Sequence, residues 1–513
     1  MTKHLFYLRF VLIILIFNLL FSSEAMAGNK LPNPVIKAGS AKLSCSISKQ
    51  KPSKDGEKLI AEITVYNPIT GECSYKTTLD KENRFSINVP LQSSKAIAIL
   101  NISSETMYYC IFAIGLEQEK ETQINISFDD KDKMKISAKG ELDLSANEMT
   151  KMCEALNLFE MHHDSLVDFH KMTPKEFADY NLNNNLKKRM SIAMDSIVLS
   201  ERIKNNLKNS FNLRFLKGRL FYYKECAEES FERANNGALA DYKAVEPDKE
   251  YYSFLRKYNL NDPQYLYCYS YHDFMKAFLV IKAFNIPKIG NTPVEEWLKG
   301  VKNSVKNVVG FNSGMFYDML AANAYDQQMS YGTEALTNKQ LANIRNYFIA
   351  NKKAIGDIIL KKNEETAKTL ESNKDLKVNK TPVVAKEKLM EAIIAKYKGK
   401  VVMVDFWATW CGPCMNAFKE MKPLKKELKG KDVVFVYITS ASSPKESWEG
   451  QIKQIGGEHY YLTKDEMNYL RENLDFGGIP TYLIYDTNGT LKNKVTGFPG
   501  NNSILDMISS ELP

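Results

Sequence analysis

Residues 400–414 read Lys-Val-Val-Met-Val-Asp-Phe-Trp-Ala-Thr-Trp-Cys-Gly-Pro-Cys, and this order leaves the chain around it little conformational choice. Lys400–Trp407 is an almost unbroken apolar run, the pattern of a strand covered on both faces. Such a strand needs helices on each side. Cys414–Leu428 supplies one, with Met415, Phe418, Met421 and Leu424 at helical spacing, and Leu389–Tyr397 reads as another. Val433–Thr439 predicts a second buried strand. Thr481–Asp486 and Leu491–Thr496 predict a hairpin about Asn488-Gly489, and Ser503–Leu512 a closing helix. Strands and helices that alternate in this way make a mixed sheet with both faces covered, an α/β fold.

The two cysteines stand where the buried strand gives way to a helix. Unpaired N–H groups at a helix start favour negative charge, so they stabilise a thiolate and lower its pKa. The thiolate is the form that attacks a disulfide sulfur. Cys414, three positions after Cys411, lies one helical turn on and is placed to attack a mixed disulfide formed at Cys411. Gly412 and Pro413 keep the intervening loop tight. Asp405 interrupts the apolar run, so burial should raise its pKa; the alternative is an Asp that caps a neighbouring backbone group. A zinc half-site would need a second Cys or His pair at metal spacing, and none stands nearby. A peroxidatic cysteine is disfavoured because Ala408 occupies the position where that family carries Thr or Ser.

The stretch Val404–Cys414, the segment Gly478-Ile479-Pro480-Thr481 and the segment Thr496-Gly497-Phe498 together resemble the thioredoxin superfamily. The closest resemblance is to exported TlpA-like thiol–disulfide oxidoreductases with large amino-terminal extensions. It covers about Pro382 to Pro513 and implies a redox-active disulfide between Cys411 and Cys414. It also implies a cis-proline at Pro480 facing that disulfide, and a substrate groove bordered by Trp410, Ile479 and Pro480 with Gly497 at its far edge. Asp405 becomes the acceptor of the Cys414 proton. The partners implied are protein disulfide substrates and a membrane thiol-electron donor; no cofactor is needed beyond the thiol pair. Two features depart from the family. Common thioredoxins carry a Lys on the strand next to the acid, where this chain reads Val434-Phe435-Val436-Tyr437-Ile438. Their helix proline follows the second Cys by five residues, whereas Lys419 stands there and Pro423 comes four later.

With 513 residues the chain is too long for one core, and several domains are expected. Residues 1–27 read as a signal peptide: Lys3 and Arg9, an apolar run from Phe10 to Phe21, then Ala25-Met26-Ala27. An uncleaved signal anchor is the alternative, and it is the one membrane contact expected. Residues 28–143 carry short strand-like runs at Leu59–Tyr66, Cys73–Leu79, Arg84–Pro90, Ala96–Ile102, Met107–Ile114, Thr122–Phe128 and Met134–Ala138. That spacing suggests an antiparallel β-sandwich. Residues 144–377 read as a mainly helical domain, with long helices predicted over Met149–Phe169, Asn185–Phe211 and Pro263–Phe284. The charged stretch Lys361–Lys380 looks like a linker or a solvated helix ahead of a thioredoxin-like domain over 378–513. The expected fold is therefore multidomain.

A net charge of +8, with both signs interleaved, argues against a nucleic-acid groove. Cys45, Cys73, Cys110, Cys153, Cys226 and Cys268 are scattered without a repeating spacing. They read as buried apolar residues or as one or two ordinary bridges, and their pairing stays open. His162, His163, Asp164, Asp168 and His170, with Glu160, crowd one segment; a solvated polar face is favoured there over a metal site. The expected activity is thiol–disulfide exchange on proteins outside the cytoplasm, in the reducing direction. The competing class is a binding or scaffold protein whose amino-terminal domains recognise a partner.

Overall fold

The computed structural model describes residues 28–48, 58–104, 108–129, 134–161, 167–235, 242–331, 334–350 and 352–513. The signal-peptide reading of residues 1–27 lies outside them, as do His162, His163 and Asp164. Among the described residues no helix is long and apolar enough to cross a membrane. Two compact units divide the chain. One comprises the described residues up to Asp326 with Thr337–Leu360; the other comprises Gln327–Leu336 and Lys361–Pro513.

The first unit begins with eight strands in two four-stranded sheets. They are β1 (Ile36–Ser48), β2 (Ile60–Asn67), β3 (Gly71–Thr78), β4 (Arg84–Ser93), β5 (Lys95–Ser103), β6 (Tyr108–Glu117), β7 (Glu121–Phe128) and β8 (Met134–Lys139). The sheet orders are β4-β1-β7-β8 and β3-β2-β5-β6, and the strands of the two sheets touch across the core between them. Seven of these strands coincide with the runs read from sequence. β1 does not: its small and polar residues hide an alternation in which Ala41, Leu43, Cys45 and Ile47 are buried. This strand also corrects the purely antiparallel expectation, because β1 pairs antiparallel with β4 but parallel with β7. The β2–β3 connection turns through Gly71, whose φ of +76° only glycine adopts without strain.

Helices follow, the main ones being α1 (Ala146–Met161), α2 (Glu201–Gly218), α3 (Tyr271–Leu279), α4 (Val294–Val309), α5 (Met315–Tyr331) and α6 (Lys353–Ser372). The long helix predicted over Asn185–Phe211 is two, Leu186–Met194 and α2, parted by a turn and the extended Ser200 that starts α2. Pro263–Phe284 is α3 between two short 3-10 turns, because Asp262-Pro263 sets a capped turn that cannot propagate. Aromatic side chains pack against one another among these helices: Phe159 stacks on Phe211 at 4.1 Å, and Tyr252, Phe278 and Phe316 interlock with Phe284 or with one another. The stretch read as a linker is the second half of α6 and then β9 (Lys377–Val378).

The second unit contains a six-stranded sheet of order β14-β13-β10-β11-β12-β9. Its strands are β10 (Val401–Phe406), β11 (Val433–Ser440), β12 (Glu458–Leu462), β13 (Thr481–Tyr485) and β14 (Leu491–Thr496), with β9. Its helices are α7 (Leu389–Ala395), α8 (Gly412–Glu420), α9 (Lys422–Glu427), α10 (Lys445–Ile455), α11 (Lys464–Asn473) and α12 (Asn501–Ser509). Every residue of β10 is buried. Alternate residues feed two cores: Val401, Met403 and Trp407 join α8, α9, α10 and α12, while Val402, Val404 and Phe406 join α7 and α11. This is the thioredoxin fold expected for the carboxy-terminal region, within a multidomain chain. The stretch between β11 and Pro480 holds α10, β12 and α11.

Candidate active site

β10 delivers the chain to the site from the centre of the sheet, held parallel to β11 and antiparallel to β13. The Trp407 N–H donates to Ile438 O at 3.1 Å as the strand ends, and the Cys411 N–H donates to Ala408 O at 3.0 Å as the loop closes. Cys411 is the N-cap of α8, and Pro413 occupies the first turn, where its missing N–H costs nothing. The Cys414 N–H donates towards Cys411 Sγ at 3.2 Å, so the helix end presents a donor to the sulfur. Cys411 and Cys414 are 4% and 0% exposed and are joined as a disulfide with Cα atoms 5.3 Å apart.

The other predicted residues gather round this pair with one exception. Ile479–Pro480 is a cis peptide, and Ile479 O lies 3.8 Å from Cys411 Sγ. Gly497 donates its N–H to Pro480 O at 2.8 Å, with a φ of +83° that favours glycine. Gly497 thus braces the cis-proline segment. Trp410 is 64% exposed beside the pair, its Nε1–H donating to Ser442 O at 3.1 Å.

Asp405 is 1% exposed, and neither carboxyl oxygen has a hydrogen-bond partner, so it caps no backbone group. Burial raises its pKa well above the usual carboxylate value, opposed by the charge of Lys425. Alternation along β10 points it to the face that carries Trp407, Cys414 and α8. The lysine absent from β11 therefore has a counterpart on α9, which restarts the helix with Pro423 in its first turn.

Sequence reading missed the residues that hold the loop. The Thr409 N–H donates to Ser443 Oγ at 3.0 Å, and Gln451 of α10 donates to Thr409 O at 3.4 Å. It also missed Lys425, Tyr437, His459 and Tyr482, which come from four elements and share no motif. The only available signal was a polar atom in an apolar run: Tyr437 and Tyr482 each stand in one. The described members of the acidic and histidine-rich segment do not converge. Glu160 pairs with Arg214 at 2.7 Å, Asp168 with Lys171 at 2.6 Å, and His170 Nδ1 lies 3.1 Å from Ser230 Oγ. Among the described residues no group of three His, Cys, Asp or Glu side chains is placed to hold a metal.

Fold and site together define a thioredoxin-fold protein with a Cys-x-x-Cys disulfide at a helix start and a cis-proline beside it. A family model described as thioredoxin-like matches residues 399–491. The thioredoxin of Rickettsia prowazekii is 30% identical over 111 residues, which are 22% of this chain and 81% of that protein. The chain belongs to the thioredoxin family through this carboxy-terminal region. The thiol-disulfide oxidoreductase ResA of Geobacillus kaustophilus is 30% identical over 107 residues, 20% of this chain and 59% of that protein. The thioredoxin-like protein YneN of Bacillus subtilis is 33% identical over 99 residues, 19% of this chain and 56% of that protein. The chain thus spans little more than half the length of these two relatives. A solved putative thiol-disulfide oxidoreductase from Bacteroides vulgatus is 28% identical, covers 23% of this chain and 76% of its own, and has a TM-score of 0.20.

Proposed function

We propose that the protein is a thiol–disulfide oxidoreductase that reduces protein disulfides outside the cytoplasm. The observation that carries the reading is the closed Cys411–Cys414 pair at the start of α8, with the Cys414 N–H directed at Cys411 Sγ. In the reduced protein, Cys411 thiolate attacks a substrate disulfide. A bond forms between Cys411 and one substrate sulfur as the substrate S–S bond breaks, and the other substrate sulfur leaves as a thiolate. Cys414 then gives its proton to Asp405 and attacks Cys411 Sγ. The substrate sulfur bonded to Cys411 leaves as the second thiolate, two electrons have passed to the substrate, and the protein ends with its disulfide closed.

Ile479, Pro480 and Trp410 border the groove that takes the substrate chain, with Gly497 at its far edge as support. A membrane thiol-electron donor reopens the disulfide, and the chain is exported by a cleaved signal at residues 1–27; in the alternative reading the amino-terminal domains, 28–143 and 144–377, recognise a partner and the redox activity is secondary. The reducing direction rests on Gly412-Pro413, which adds no side-chain charge or donor that would over-stabilise the thiolate. Poising the full chain against glutathione reads that direction. A potential of about −200 mV or lower supports it, and one near about −120 mV makes the protein an oxidant. The roles of the two thiols are tested by trapping: Cys414→Ser accumulates mixed disulfides with substrate proteins, and Cys411→Ser does not. Equal trapping by both variants, or by neither, would leave the scaffold reading in its place.

A further inference from the structure

One register line across the sheet sets Tyr482 of β13, Asp405 of β10, Tyr437 of β11 and His459 of β12 side by side. All four are 1% exposed or less. Each keeps a polar atom without a hydrogen-bond partner: both Asp405 carboxyl oxygens, the two tyrosine hydroxyls and His459 Nδ1. His459 Nε2 lies 3.0 Å from Gly456 O, so Nε2 carries the hydrogen and Nδ1 a lone pair. Burial pushes this histidine down to about 3, and it adds no charge to the row at neutral pH. The tyrosines, held neutral by the same burial, add none either.

A cation reaches this layer from α9. Lys425 follows the buried Met421 by four residues and so shares its inward helix face. Its Nζ donates to Ile455 O and sits 5.2 Å from the centroid of the Tyr437 ring and 5.5 Å from that of Phe435. His459 stacks on the same Tyr437 ring at 4.9 Å, which fixes the ring as a seat. Lys425 is the charge that acts on Asp405 against the effect of burial. Asp375 ahead of β9 and Lys422 of α9 act in turn on Lys425, and Glu420 of α8 acts on Tyr482.

Within the oxidoreductase reading above, we propose that Lys425 is a positioning residue of the resolving step, seated on the Tyr437 ring and acting through Asp405, whose ionised form its charge stabilises. A carboxyl alone in an apolar layer keeps its proton, and one that keeps its proton accepts none from Cys414. With Lys425 in place, Asp405 ionises and receives the Cys414 proton. Cys414 then attacks Cys411 Sγ, the Cys411–Cys414 bond forms, and the bond between Cys411 and substrate breaks. Burial lowers the Lys425 ammonium to about 8, so below that pH it keeps its proton through the step.

The test is the single-turnover rate of mixed-disulfide resolution by the full-length chain, measured with a model disulfide from about pH 5 to about pH 7.5, below the value of about 8 to which burial lowers Lys425. The wild-type rate rises with pH as Asp405 ionises. Lys425→Met moves the midpoint up by about one pH unit and slows resolution about tenfold on the rising limb. Lys425→Arg and Tyr437→Phe, which keep the charge and the ring, retain the wild-type profile. Tyr437→Leu, which removes the seat, shifts part of the way. If Lys425→Met folds poorly, Lys425→Gln carries the same expectation. An unshifted midpoint in the folded variants overturns the proposal, and so does a uniform slowing at every pH. A wild-type chain that forms and resolves no mixed disulfide sinks the oxidoreductase reading instead.

Discussion

Cys45, Cys110 and Cys268 of the amino-terminal unit share burial with the pair in the carboxy-terminal unit and differ from it in what their sulfurs face. Cys45, Cys110 and Cys268 are buried among apolar neighbours, and burial pushes their thiols up to about 12. Cys411 and Cys414 are as deeply buried, at 4% and 0% exposed. Their sulfurs, however, stand at a helix start, with an N–H aimed at one of them. Burial alone silences a thiol; burial with a donor prepares it for chemistry. The same lesson holds for carboxylates. Glu160 is half-buried and met by Arg214 on both oxygens, which holds its pKa below the usual value. Asp405 is fully buried with no partner, and its pKa rises.

The comparison breaks most readily on thiol reactivity. Alkylation of the reduced full chain at pH 7.5, followed residue by residue by mass spectrometry, should label Cys411 on the order of 10⁴-fold faster than Cys45, Cys110 or Cys268. That ratio follows because a helix-start thiol of a Cys-x-x-Cys pair is as a class roughly half ionised near neutral pH, whereas burial holds the other three at about 12. Rates within tenfold of one another would erase the distinction between the two regions.

Asp405→Asn sharpens it next. Losing the proton acceptor should slow the resolving step about 10²–10⁴-fold while the first attack is retained. Stability should move the other way. The folded pKa of Asp405 lies above its unfolded value, so the native state holds the proton more tightly. The stability this gives is complete below the unfolded pKa and is lost as pH rises through the folded one. At neutral pH Asp405→Asn escapes that loss, about 1.4 kcal/mol for each unit between the two values. A variant that melts lower than wild type at pH 7.5, or that resolves within threefold of it, would make Asp405 a structural residue.

The smallest effect concerns where the catalytic region begins. A fragment starting at Lys361 keeps β9, whose Lys377 N–H donates to Gly457 O at 2.8 Å, and whose flanking Asn379 N–H donates to His459 O at 2.8 Å. Lys377 and Asn379 also meet the buried Glu458. A fragment starting at Lys380 loses these and should be less stable by about 1–3 kcal/mol, read as a lower urea midpoint at the same m-value. Both fragments should still reduce a model disulfide. If neither folds, the boundary proposed near residue 377 is wrong.

The carboxy-terminal fold was legible because its signals are local. An apolar run that admits only a doubly covered strand, a Cys-Gly-Pro-Cys helix start and an Asn-Gly turn each act within a few residues of themselves. β1 was not legible, since its core-facing Ala41, Leu43, Cys45 and Ile47 are small or separated by serines, and burial between β4 and β7 supplies what propensity does not. The break in the helix predicted over Asn185–Phe211 hid for a similar reason, because apolar spacing continued across the turn. The parallel pairing of β1 with β7 depends on contacts between residues some 80 positions apart in sequence, as in Ser46 with Asn125.

The site divides along the same line. The sequence alone pointed to Cys411 and Cys414 by their spacing, to Asp405 as a carboxyl inside an apolar run, and to Pro480 through the family resemblance. Tertiary structure decided the rest. Lys425 of α9, Tyr437 of β11, His459 of β12 and Tyr482 of β13 gather round Asp405 only after the sheet has set its register and α9 has turned inward. The physical reason is that a buried charge is tuned by whatever lies across the core from it. That neighbour is chosen by packing, which carries no signature in the order of residues.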